Sequence, residues 1–143
     1  RFYYYKNSMI NRNLFDENLV IDCEMNSGSS YEAMERYLEK NKKPPKALFI
    51  SSDATAAGIL KSIREHGFLV PGDCNIVTYN NTTFSESSTP PLDSIEVYLK
   101  ESAKEATFAL ERFWNAEKLP RKIVIPCSLV IRGSIKKQEN NDK

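Results

Sequence analysis

The stretch that most limits the folds open to this chain is "ALFISSDATAAGIL", residues 47 to 60. An apolar run breaks at Ser51-Ser52-Asp53 and resumes as small residues suited to a helix, which reads as a buried strand feeding directly into a helix. The unit recurs along the chain. "LVIDCE" (19 to 24) is a short apolar run, the Asn26 to Ser30 cluster follows it, and "SYEAMERYLEK" puts Tyr31, Met34 and Leu38 on one helical face. A third strand, "NIVTYN", follows the "VPGD" turn, and Gly67 stands where a helix over 54 to 66 would stop in the left-handed conformation. Upstream, Phe2, Tyr5, Met9 and Ile10 fall at helical spacing. This alternation predicts an α/β fold, a parallel sheet flanked by helices.

Beyond Pro90-Pro91 the pattern loosens. "LDSIEVYL" reads as extended, a long helix is expected from about Lys100 to Lys118, and "KIVIP" and "SLVIRGS" form extended segments divided by Pro126. The polar end "KKQENNDK" is expected to be disordered. With 143 residues the default is one compact unit. Twenty basic residues against nineteen acidic ones, without a long block of either sign, are not a nucleic-acid footprint. Cys23, Cys74 and Cys127 lack metal or redox spacing, so no metal site is predicted and a reduced, cytoplasmic chain is the simplest reading. No export leader or run of roughly 20 apolar residues occurs, so no membrane contact is expected. Arg1 opens the chain inside a helical pattern, which reads as a fragment.

In parallel α/β sheets, ligands settle beyond the carboxyl ends of the strands, where loops and helix N-termini converge. Three such ends are visible here: 24 to 26, 51 to 53 and 79 to 81. Their hydroxyl, amide, carboxylate and phenol groups suit a polar neutral ligand such as a sugar. Neither GxGxxG nor a P-loop occurs, so no cofactor is predicted. Asp53 is expected to cap the following helix, with ligand contact open to Ser52. A catalytic Asp53 would need a partner acid, base or metal that the sequence does not offer. His66 ends a helix, and the serines of "SSD" and "SESS" lack a nucleophile elbow. An enzyme is therefore not expected. Phe113 and Trp114 read as core side chains, and "YYY" (3 to 5) offers sugar stacking against the plainer reading of helix packing.

Taken in order, several pieces resemble the effector-binding region of LacI/GalR-family transcriptional repressors. "PPKALFISSDATAAGILKSIREHGFLVPGDCNIVTYNN" is similar to that family's P-x-A, strand, N-D-x-x-A-x-G, helix ending in G, V-P-x-D, and strand ending G-[FY]-[DN]-[DN]. "PPLDSI" resembles P-x-L-T-[ST]-[IV], "LVIRGS" resembles [LI]-[VI]-x-R-x-S, and "RFYYYKNSM" resembles the R-x-x-G-[FY] helix, with Tyr4 at the usual glycine. The resemblance covers most of the chain. It implies a periplasmic-binding-protein-like (type I) domain in truncated form, with an effector held by Arg1, Ser52, Asp53 and Asn80 and flanked by Leu99.

It also implies an organisation: residues 1–92 as a carboxy-terminal subdomain lacking its first helix and strand, 93–120 as a segment of the amino-terminal subdomain, 121–135 as the return, and 136–143 as a tail. The DNA-binding domain would be absent, so operator DNA is met only through a region outside this chain. The helix over 54 to 66 would contribute to a homodimer. Without its partner sheet, the helix carrying Phe108, Phe113 and Trp114 would expose an apolar patch, and a dimer or rearranged assembly is expected.

The departures from the family pattern that bear on the ligand are serine for asparagine at 52, asparagine for aspartate at 80, and Thr78 for glycine. These change which sugar hydroxyls can be bonded, and similarity to the "SD" and "ND" variants of a galactoside-responding branch of the family implies a galactose-type ligand. The rival reading is a periplasmic-type sugar-binding receptor of a transport system, against which stand the three cysteines and the "VPGD" and "RGS" pieces.

Overall fold

A computed structural model describes residues 1–136. The expectation for the tail therefore falls, from residue 137 on, outside the described residues.

Four strands form one sheet in the order β1 (Ala47–Phe49), β2 (Asn75–Tyr79), β3 (Asp93–Glu96) and β4 (Ser128–Val130). The first three run parallel, with Phe49 opposite Val77 and Val77 opposite Asp93, and β4 pairs antiparallel to β3 with Ser94 opposite Val130. The helices are α1 (Phe2–Ile10), α2 (Ser27–Asn41), α3 (Asp53–Glu65), the short α4 (Thr83–Ser87) and α5 (Leu99–Trp114). Among the described residues no helix is long and apolar enough to cross a membrane.

The core lies where α2 and α3 pack together over one face of the sheet. Met34 and Leu38 of α2 meet Ala56, Ile59, Leu60 and Ile63 of α3, with Ile76 of β2 and Leu92 beside them. Side chains alternate along a strand, so Ile76 and Thr78 are buried while Val77 and Tyr79 point to the other face. There Tyr5 of α1 stacks on Phe49, ring centroids 5.6 Å apart, and Tyr79 meets Phe49 edge-on at 6.4 Å. An open apolar groove of about 920 Å³ runs along this face, lined by Met9, Val77, Ile95 and Leu129 among others.

Several expectations need correction. "LVIDCE" is not a strand: a 3-10 turn over Glu17–Leu19, capped by Asp16, leads into irregular chain. Among the described residues β1 pairs only with β2, so this segment has no ladder partner, and Ile21 merely packs against the core. Helix α2 starts earlier than its apolar face suggested, because Asn26 accepts from the Ser29 N–H at 2.8 Å and caps it. Among the described residues "KIVIP" pairs with nothing, and α4 was not foreseen.

The boundary drawn at residue 93 falls inside the sheet, since Asp93–Glu96 is β3 and pairs with β2. What departs from the sheet is α5. It has no buried residue, and Phe113 and Trp114, read as core side chains, are 69% and 88% exposed.

Candidate functional site

The carboxyl ends of β1 and β2 lie side by side because the strands are parallel and in register. Each ends in a polar turn, Ser51-Ser52 after β1 and Asn80-Asn81 after β2. Helix α1 delivers Arg1 to this junction. One guanidinium nitrogen (Nη1) donates to the Ser51 carbonyl at 2.6 Å and the other (Nη2) to Asn80 Oδ1 at 2.9 Å, while the group lies 4.1 Å from the centre of the Tyr79 ring. A cation over an aromatic face is attracted by the ring quadrupole, and the two hydrogen bonds fix its plane. Asn80 holds a backbone φ of 105°, and its N–H donates to the Ile95 carbonyl at 3.0 Å.

Ser52 and Asp53 are buried, and the capping role expected of Asp53 falls to Ser52. Ser52 is the N-cap of α3, its Oγ accepting from the Ala54 N–H at 3.2 Å. Asp53, one residue later, accepts instead from the Thr82 N–H at 2.7 Å and the Thr82 hydroxyl at 2.8 Å, tying the start of α3 to the turn after β2. Burial alone would raise the Asp53 pKa. The nearby Ser85 and Thr78 hydroxyls together with the two Thr82 bonds outweigh it and leave the carboxyl below its ordinary value. Its Oδ1 nevertheless has no partner at hydrogen-bond geometry.

Both side chains thus build the floor of the site. Ser52→Ala is expected to cost about 1 kcal/mol, the usual worth of a helix cap, read as a lower urea midpoint at unchanged slope.

Leu99 opens α5 and is 65% exposed, outside the core. The five expected contacts therefore divide: Arg1 and Asn80 are bonded to each other, Ser52 and Asp53 are bonded into the scaffold, and Leu99 stands apart. The apolar groove on the sheet face is lined by none of the five.

Tyr79, whose phenol was counted among the polar groups at the strand ends, was not named as a ligand contact. Its hydroxyl lies 3.9 Å from Cys127 Sγ. Burial and the nearby thiol push its pKa up, against the Arg1 charge. His66 sits at the far end of α3, its Nδ1 3.0 Å from the Ser62 carbonyl. Among the described residues no three His, Cys, Asp or Glu side chains are grouped as metal ligands. A cation, an amide, a carbonyl and an aromatic face are suited to binding a polyhydroxylated molecule.

A family model described as a periplasmic binding protein-like domain matches residues 1–135. Among curated proteins, the chain is 29% identical over 133 residues to the HTH-type transcriptional regulator GalR of Streptococcus thermophilus, covering 92% of this chain and 40% of that protein. It is 32% identical over 115 residues to the HTH-type transcriptional repressor MelR of Bacillus subtilis (strain 168), covering 80% and 33%.

Among solved structures, it superposes on the transcriptional regulator CelR in its cellobiose complex with TM-score 0.80 at 26% identity, covering 91% of this chain and 40% of that one. The regulator CcpA of Lactococcus lactis gives TM-score 0.81 at 25% identity, covering 92% and 48%. The chain spans less than half the length of each of these relatives.

Proposed function

The chain belongs to the periplasmic binding protein-like domain family, as part of an effector-binding domain of the LacI/GalR kind, and from that premise we propose that it senses a sugar for a cytoplasmic transcriptional repressor. The observation that carries this reading is the Arg1 guanidinium, held between the Ser51 carbonyl and the Asn80 carboxamide above the Tyr79 ring. Sugar hydroxyls would take over part of that bonding, with Ser52 and Asp53 beneath them, while Leu99, standing apart here, would reach the ligand only in the whole protein. CelR carries cellobiose in its complex. For this chain the serine at 52 and the asparagine at 80 favour a galactose-type ligand.

In the whole protein, a homodimer would meet operator DNA through a helix-turn-helix region. A ligand shifts such an equilibrium only as far as its affinities for the two states differ, and couplings of about 1–3 kcal/mol are typical.

Calorimetric titration of this chain with galactose, lactose, glucose and cellobiose tests the pocket. One sugar is expected to bind saturably, and Asn80→Ala to weaken it about 2- to 10-fold, the worth of a hydrogen bond between neutral groups. Equal affinity in Asn80→Ala would remove Asn80 from the site, and heats of dilution alone from all four sugars would reject the sugar reading.

A further inference from the structure

Asn81 follows Asn80, and both ends of its carboxamide are engaged. Its Oδ1 accepts from Arg132 Nη2 at 2.7 Å, its Nδ2 donates to Glu96 Oε2 at 2.6 Å, and its backbone N–H donates to Ser94 Oγ at 3.0 Å. Arg132 is anchored in turn, its Nη1 donating to the Leu92 carbonyl at 2.9 Å and its backbone N–H to Asp93 Oδ1 at 3.0 Å. The other oxygen of Glu96 accepts from the Tyr98 N–H at 2.8 Å, and the Tyr98 hydroxyl lies 2.8 Å from Ser128 Oγ. One polar chain therefore runs from the turn after β2 to the exit of β3 and on to the start of β4.

The backbone gives this chain something to hold. Asn80 and Asn81 both lie at positive φ, 105° and 51°. Asparagine tolerates that region better than most residues, yet two in succession persist only where surrounding contacts fix them. Asn81 supplies those contacts, whereas the Asn80 side chain is turned to Arg1.

We propose that Asn81 is a positioning residue: its carboxamide, strung between Arg132 and Glu96, aims Asn80 at Arg1 and ties the candidate pocket to the two points where the chain leaves the sheet for α5 and rejoins it. The proposal deepens the sugar-pocket reading, on which the role of Asn80 rests. An amide is required because one end must accept and the other donate. Aspartate would keep the bond to Arg132 but set a second carboxylate against Glu96 at hydrogen-bond distance, where ionising both is disfavoured and the pair's upper pKa is raised. In the native chain the Asn81 amide, with the Tyr98 N–H, holds the Glu96 carboxyl below its ordinary value, so the network carries no titration near neutrality. The charged groups facing it are Glu96 from β3, Arg132 from beyond β4 with Asp93 behind its backbone, and Arg1 across Asn80.

The test is nuclear magnetic resonance of the unliganded chain, following the backbone and side-chain amide signals of Asn80 from about pH 4 to pH 8, a window that brackets carboxylates raised by a neighbour. The native signals are expected to stay flat above about pH 5, the range over which a carboxyl held below its ordinary value is fully ionised. Asn81→Asp should make them titrate, with a midpoint at least about one unit above ordinary Asp and Glu values. Adding Glu96→Gln restores a donor on the opposite side, and it should abolish the titration and return the signals to their native positions.

Asn80 signals that stay at their native positions in Asn81→Asp throughout this window would overturn the proposal. So would a titration that survives Glu96→Gln. Should Asn81→Asp fail to fold at neutral pH, the double variant is expected to fold with native Asn80 signals, and failure of that rescue would equally overturn it. No sugar is needed for any of these outcomes. If Asn80 titrates as expected while galactose, lactose, glucose and cellobiose all fail to bind, the pocket reading falls and the positioning role of Asn81 stands.

Discussion

Asp93→Ala is expected to cost at least about 3 kcal/mol of folding stability, because a buried carboxylate that satisfies several donors would leave each of them unpaired. Asp93 Oδ2 accepts from the Ser134 N–H at 2.7 Å, the Ser134 hydroxyl at 2.8 Å and the Ile135 N–H at 3.0 Å, while Oδ1 accepts from the Arg132 N–H. Ser134 Oγ also lies 2.6 Å from the Ile76 carbonyl, so the same knot reaches β2. Urea unfolding of the variant should show the loss. A change under about 1 kcal/mol would mean that water replaces the carboxylate at little cost.

The same knot predicts a pH dependence. Burial would raise the Asp93 pKa, but the Arg132, Ser134 and Ile135 donors overcome it and leave the carboxyl below 3.8. The folded carboxyl thus holds its proton less tightly than the unfolded one. Its contribution is complete above the unfolded pKa of about 3.9 and is lost as pH falls through the lower, folded value. The stability gap between the native chain and Asp93→Ala should accordingly be constant near neutrality and narrow only in acid below that point.

Gly58→Ala should be comparably severe, at about 3 kcal/mol or more, at the upper end of overpacking costs. Gly58 lies on the buried face of α3, and a Cβ there would run into the Ser27 carbonyl and Ser30 Oγ of α2 and come within 2.7 Å of the Tyr31 backbone nitrogen. Two of these three atoms are backbone, so no rotamer change relieves the clash and the helices must separate. Their separation would open the core around Met34, Ile59 and Ile63. Thermal unfolding would register this as a markedly lower midpoint, and an unchanged midpoint would show that α2 can shift without loss of packing.

These two positions also mark how far the sequence could be read. The strand-to-helix step into α3 was legible because "ALFI" and the small residues after it carry opposite periodicities on either side of a polar break. Which break residue caps the helix was not legible, since Ser52 and Asp53 are near-equal cap formers and only the position of Thr82 decides between them. "LDSI" and "IRGS" were each noticed as separate pieces. Their meeting through Asp93 and Ser134 was invisible, because 41 positions separate them and no periodicity spans that distance.

The strand expected at 19 to 24 failed for the complementary reason. Its apolar run was genuine, but a strand exists only with a partner, and residue pattern does not supply one. In the candidate site, the resemblance carried Arg1 and Asn80 to positions that prove adjacent, while Tyr79, whose ring lies against the Arg1 guanidinium, was legible only as the phenol at the end of a strand.

The knot at Asp93 and the Tyr98–Ser128 contact close residues 97 to 127 at their base. Seen from the sheet, that excursion is a loop whose ends are already joined, and α5 within it contributes no buried residue. Each doubling of the length of such a loop adds only about 0.6 kcal/mol of closure entropy. The helix can therefore be lengthened, shortened or exchanged for another at little cost to the sheet that carries it, so the sheet places almost no demand on its sequence.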